Sequence, residues 1–177
     1  MRQDTLQTLG YTGIVTLSQY IGDKKVKIKQ LKNHGGEALF DFFAYCLKGD
    51  FSVADALRPN KILLLSKQQS EQSSESTYSA LGAGQGYYTI STTPEKIYSA
   101  GACKVRYSFI ISKDVLRGLN STENVYLGLY PSSANYGNID VNNFSAICKL
   151  GSLDLIPTNA ALVVDWELII SNVSNEE

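Results

Sequence analysis

Few residues in this chain have the types and spacing for chemistry. His34 is the only histidine, and it precedes two glycines in "NHGGEALFDFFAYCLKGDF", residues 33–51. A nucleophile needs a base beside it, so a hydrolase would rest on His34, yet no G-x-S-x-G elbow is present. A histidine cation at a helix N-terminus is opposed by the helix dipole. His34 therefore reads as a solvated or capping residue in a loop. Cys46, Cys103 and Cys148 lie far apart, with neither zinc-ligand nor redox spacing. They read as reduced, mostly buried thiols, which suits a reducing cytoplasm.

Two loops mimic ligand sites without meeting their requirements. "NIDVNN", residues 138–143, gathers Asp140 with Asn138, Asn142 and Asn143, but the spacing is not that of a calcium loop. "GAGQG" carries Gly82, Gly84 and Gly86, where a dinucleotide fingerprint would need a strand before, a helix after and a glycine at the position of Tyr87. No Walker A sequence occurs. The sequence thus assigns no catalytic residue, no cofactor and no metal. Asp165 and Glu167 are two apart on one strand face, a conceivable pair for glycoside cleavage. Outward solvated carboxylates are the commoner case.

Surface chemistry is more promising. Lys24, Lys25, Lys27, Lys29 and Lys32 fall within nine residues. Alternation in "KVKIKQL" predicts Lys25, Lys27 and Lys29 on one face and Val26 and Ile28 on the other. Such a row protects an edge strand from pairing with other chains, or it docks an acidic protein surface. The chain also has 11 tyrosines, with Tyr87-Tyr88, Tyr107, Tyr126, Tyr130 and Tyr136 on strands or strand ends. Tyrosine is enriched at interfaces and also fills half-buried sandwich positions. The candidate interface residues are Lys25, Lys27, Lys29, Tyr87 and Tyr88. Tyr87 and Tyr88 also define an alternative function, a carbohydrate-binding β-sandwich module for host or glycan attachment.

The elements that must position these residues are mostly strands. "GIVTLSQY" (13–20) and "KVKIKQL" (25–31) flank a turn at Gly22-Asp23 and predict a hairpin. A helix near residues 36–48 follows, with Asn33 as a possible cap, Glu37 in its first turn and Gly49 after it. Its apolar residues from Leu39 to Leu47 predict burial against the sandwich on more than one side. "RPNKILLLSK" predicts a buried strand at 61–66. Residues 67–86, opening on the low-complexity "KQQSEQSSEST", predict an exposed flexible loop. Strands are expected at 87–91, 96–100, 103–112, 125–130, 144–149, 152–156 and 161–171, with a single helical turn at 113–119. In the last strand the Trp166 face should be core, and the Asp165–Glu167 face should meet solvent or a partner. One helix and roughly ten strands predict a single-domain, mainly β fold over 1–177, a β-sandwich of jelly-roll type.

Composition bounds the partners. The chain has 177 residues, 44% hydrophobic, with a formal net charge of −1. Such a chain can bury a core unaided and has no global field to attract nucleic acid or a membrane surface. No apolar run approaches the roughly 18 residues of a transmembrane helix. The polar start "MRQDTLQTLG" predicts no cleaved export signal.

Two stretches together resemble a known group: "GIVTLSQYIGDKKVKIKQLKNHGGEALFDFFAYCLKGDF" and "ALVVDWELIISN". This pattern of hairpin, apolar helix and Trp-centred last strand resembles small β-sandwich virion proteins of tailed bacteriophages, especially the crAss-like gut phages. The resemblance implies a non-enzymatic structural protein: a capsid auxiliary or decoration, a head-fibre anchor, or a connector-ring component. It implies repeated copies docked on major capsid, portal or tail proteins. It also implies a place in the virion, and in the host cytoplasm during assembly. It carries over no catalytic residue.

Overall fold

The computed structural model describes residues 8–69, 76–81, 88–89, 95–99, 102–118, 124–134, 143–152, 157 and 159–173. The predicted hairpin is longer than its alternating cores suggested. β1 (Thr8–Ile21) and β2 (Lys24–Gly35) pair antiparallel around Gly22, whose φ of +59° is the backbone that tight hairpin turns demand. On its other side β1 pairs with β10 (Leu162–Val173) over eleven residue pairs, from Thr8↔Val173 to Ser18↔Val163. β10 pairs in turn with β7 (Ala102–Ile111), and β7 with β6 (Glu95–Ser99).

A second leaf is built on β3 (Pro59–Gln69). It pairs with β4 (Ser76–Ala80), with β5 (Tyr88–Thr89) and with β8 (Val125–Pro131), and β8 pairs with β9 (Ala146–Gly151). β2 joins the leaves: its last residues, His34 and Gly35, leave β1 and pair with Ile147 and Ala146 of β9. The strand order is therefore β4-β3-β8-β9-β2-β1-β10-β7-β6 in one curled sheet. β1 pairs with β10, β2 with β9 and β3 with β8, a nested wrapping of the jelly-roll kind. The fold is mainly β and sandwich-like, as the sequence predicted.

The core lies between the leaves. Val15, Leu17, Tyr107, Phe109, Val164 and Trp166 from one meet Ile62, Leu64, Leu127, Leu129, Cys148 and Leu150 from the other. β3 explains the unbroken run "ILLL": Ile62 and Leu64 enter this core, while Leu63 and Leu65 join Tyr130 and Ile147 in a second cluster. A strand buried on both faces loses alternation.

The helices correct several expectations. α1 (Glu37–Lys48) begins near the predicted place, with Glu37 in its first turn and Gly49 (φ +81°) as its left-handed C-cap. Its N-cap is Gly36 without a side-chain cap bond, and Asn33 is a buried residue of β2. Gly36 is required by close approach: a Cβ there would lie 2.2 Å from the Phe144 carbonyl oxygen. Only Ala38 and Leu39 of α1 are buried; Phe40 is 56% exposed and Leu47 90%. The predicted burial through Leu47 is therefore wrong. The helix touches the sandwich through one side only, with Phe42 and Phe43 half-buried against the core.

α2 (Phe51–Leu57) was not predicted. Its Asp50 cap accepts from the Val53 N–H, and distant groups satisfy its last carbonyls. Ser132 Oγ donates to the carbonyls of Asp55 and Ala56, and the Ser133 N–H donates to Ala56. Seven residues held by bonds across more than seventy positions carry no local period. α3 (Lys113–Gly118) occupies the predicted single turn. The loop assigned to 67–86 is also corrected, because Leu65–Gln69 pair with Ser76–Ala80. Main-chain bonds need no apolar side chain to extend a ladder from the buried part of β3. Residues 70–75, 82–87 and positions 153–156 of the strand expected at 152–156 lie outside the described residues.

One polar cluster ties β1, β2 and β10 together. Gly13 faces Asn33 across the hairpin, and the Asn33 carboxamide fills the space that a Cβ on Gly13 would take. An indole N–H can only donate, so the buried amide turns its oxygen to Trp166 Nε1 at 2.7 Å and the Ile14 N–H at 3.2 Å. Its nitrogen donates to the Tyr11 hydroxyl at 2.6 Å. Burial raises the Tyr11 phenol well above its usual range. Asn33→Leu leaves the indole N–H unpaired and should lower unfolding free energy by about 2–4 kcal/mol. In urea unfolding, Gly13→Ala and Asn33→Ala should be non-additive, the double variant losing less than the sum.

Burial also pushes the Cys148 thiol from 9.0 up to about 12, with the Lys29 ammonium partly opposing. The Tyr107 phenol rises from 10.0 to about 12 for the same cause, with Arg58 opposing. Both groups are neutral when protonated, and the unfolded chain gives up these protons first. Their stabilisation is present below the unfolded values and lost as pH rises through the folded ones, between about 9 and 12. Urea unfolding across that window should show a shallower decline for Cys148→Ala than for the unsubstituted chain.

Candidate interface

The lysine row is the surface the sequence singled out, and a bulge divides it. β1 and β2 shift register between Leu17 and Ser18: Leu17 faces Lys29 and Ser18 faces Lys27, so Ile28 has no partner. Residues directly opposite in an antiparallel pair share a face. Lys25 and Lys27 thus lie on the outer face with Tyr20 and Ser18, while Lys29 lies with Leu17 on the face that builds the core. Lys29 Nζ donates to the Leu150 carbonyl of the second leaf at 2.9 Å. The expectation that all three lysines share one face is therefore corrected. An extra residue reverses the alternation beyond it.

The outer face carries a ladder of charges across β2, β10, β7 and β6. Lys25 Nζ meets Asp165 Oδ2 at 2.6 Å, and Ser108 Oγ donates to Asp165 Oδ1 at 2.7 Å. Lys104 Nζ meets Glu167 Oε2 at 3.1 Å. Arg106 donates to Glu167 Oε1 through Nε at 2.9 Å and Nη2 at 2.7 Å, and reaches Glu95 through Nη1 at 3.1 Å. The hydrogen bonds that Arg106 donates to Glu167 hold its guanidinium above its usual value. All four carboxylate oxygens of Asp165 and Glu167 accept from a donor. Trp166 is fully buried, as the face assignment in the last strand predicted. The opposite face is neither plain solvent nor bare carboxylate, since cations from β2 and β7 cover it. Among the described residues, Lys24, Lys27 and Lys32 make no ion pair.

The remaining candidates scatter. His34 is an exposed residue of β2 rather than of a loop. Tyr87 lies outside the described residues; Tyr88 is in β5, paired with Ile62. Tyr107 and Tyr130 are interior, at 5% and 0% exposure, so neither offers a stacking surface. The "GAGQG" glycines and residues 138–142 lie outside the described residues, and Asn143 is exposed. Among the described residues no group of three His, Cys, Asp or Glu could hold a metal ion. No helix among them is long and apolar enough to cross a membrane.

Sequence reasoning missed one surface. Phe40, Ala44, Leu47 and Phe51 are exposed along α1 and at the start of α2. The signal was available. Apolar residues circle more of α1 than one sheet edge can cover, and Glu37, Asp41 and Lys48 share their side of the helix. No family model, no curated protein and no solved structure matches this chain.

Glu167 is the more enclosed carboxylate, 8% exposed, and it holds two cations. Glu167→Gln should cost about 1–3 kcal/mol. Asp165→Asn, which loses one partly exposed pair, should cost less than about 1 kcal/mol. Urea unfolding at low and high salt measures both, and salt should shrink the Asp165 effect more.

Proposed function

We propose that this chain is a non-enzymatic structural component of a tailed-phage virion, acting by docking repeated copies on the particle. The capsid surface, the base of a head fibre and a portal–tail ring are the positions this reading admits. One observation carries it. The two stretches that carry the resemblance are far apart in sequence, yet they form one physical unit. β10 pairs along β1, β1 pairs along β2, and Asn33 links all three ahead of α1. A resemblance spread over unconnected elements would mean little; here it covers a strand trio and the helix that follows it.

The surfaces suit docking. Lys27 and Lys32 project from β2 without intramolecular ion pairs among the described residues, and the apolar side of α1 faces solvent. Major capsid, portal or tail proteins with acidic surfaces are the partners in this reading. No catalytic residue enters it.

Quantitative mass spectrometry of purified particles is the test. Hundreds of copies per particle would place the chain on the capsid, and about a dozen in the connector, since closed symmetry sets the count. Absence from mature particles overturns the proposal. Lys27→Glu with Lys32→Glu should lower incorporation without changing thermal stability. Lys25 and Lys29 are poor probes, because their reversal also breaks the Asp165 and Leu150 contacts.

A further inference from the structure

We propose that the solvent side of α1 binds a second copy of this chain, the two α1 helices packing antiparallel across a twofold axis. At about 100° per residue, Phe40, Ala44 and Leu47 lie within about 60° of one another. Leu39, Phe42 and Phe43, which pack on the core, lie on the other flank, from about 60° to 160° round the helix from Phe40. Phe40 is 56% exposed, Leu47 90%, and Phe51, just beyond the Gly49 cap, 71%. Ala44 is exposed between them. A stripe of large apolar side chains is thus turned to water on a helix already anchored by its other side.

The charges beside the stripe choose the occupant. Glu37, Asp41 and Lys48 all lie on one flank of it, about 60–100° round the helix from Phe40. A twofold axis perpendicular to both helices keeps that flank on the same side of the pair. With Ala44 at the axis, Asp41 stands about 4.5 Å before it and Lys48 about 6 Å beyond it. The acidic end of one helix therefore meets Lys48 of the other, and Phe40 meets Leu47. The contact is isologous, each residue pair occurring twice. The small Ala44 at the crossing lets the helices approach closely. A lipid surface or an unrelated protein would use the apolar stripe, but neither requires acid before and base after its midpoint.

A twelve-residue helix is about 18 Å long, so the pair is smaller than a standard interface and should be weak. Association should be in the micromolar range. Dimerisation and incorporation into particles are separate measurements, and either can hold without the other.

Sedimentation equilibrium of the full chain from about 1 to 200 μM should give a monomer–dimer equilibrium. Ala44→Glu should raise the dissociation constant about tenfold or more. Asp41→Lys and Lys48→Asp should each weaken the dimer, and the chain carrying both should largely recover it. All three positions are exposed, and unchanged circular dichroism and melting temperature would verify folding. A chain monomeric throughout that range overturns the proposal. So does a dimer indifferent to Ala44→Glu, or a charge swap that recovers nothing. Vesicles of phosphatidylcholine and phosphatidylglycerol supply a further arm. A chain that stays monomeric, co-sediments with them and loses this on Leu47→Asp assigns the face to lipid instead.

Discussion

The Asn33 carboxamide stands where β1, β2 and β10 come together, and the fold is organised around it. Its oxygen takes the only N–H of the buried Trp166 side chain, and its nitrogen reaches the Tyr11 hydroxyl. A buried indole, amide and phenol are costly unless each finds a partner. Here they satisfy one another, and only if the first and last strands are in one register. Gly13 makes room for the arrangement, since any side chain there would occupy the amide's place. The contact thus constrains a sheet whose ends are more than 130 residues apart in the chain.

The two faces of that sheet follow from the same register. Val15, Leu17, Val164 and Trp166 point inward. Thr16 and Ile14, opposite Asp165 and Glu167, point outward, where Lys25, Lys104 and Arg106 answer the carboxylates. Partly exposed ion pairs contribute little individually. Their main effect is to cover a face that would otherwise present two adjacent negative charges. The bulge at Ile28 then takes Lys29 out of this array and sends it to the second leaf. The row of unpaired outward lysines on β2 is correspondingly narrower than the lysine run suggests.

α1 balances that loss. The β2–β9 junction and the close approach of Gly36 to Phe144 set its direction, and Leu39 anchors it in the core. From there the helix runs with one side on the sandwich and an apolar side in water. A helix anchored by its other side with an exposed stripe suits contact with another protein, because its backbone is already ordered before binding. Such a surface accords with a protein that acts by assembly.

The sequence by itself determined the local elements. Alternation in β1, β2 and β10, the apolar run in β3 and the Gly49 cap of α1 are written in neighbouring residues, because strand and helix periods are local. The assignment of Trp166 to the core and the mainly β, sandwich-like class followed from them. Tertiary structure alone decided what depends on partners distant in the chain. The bulge that divides Lys27 from Lys29 arises in the pairing of two strands, not in either sequence. α2 is held by Ser132 and Ser133, and β4 by the ladder of β3. Asn33 looked like a helix cap because asparagine often caps; it became the centre of the core network once β10 arrived beside it. Phe40 and Leu47 looked like core because apolar residues usually are. Only the position of α1 on the sandwich decided that one of its sides faces water.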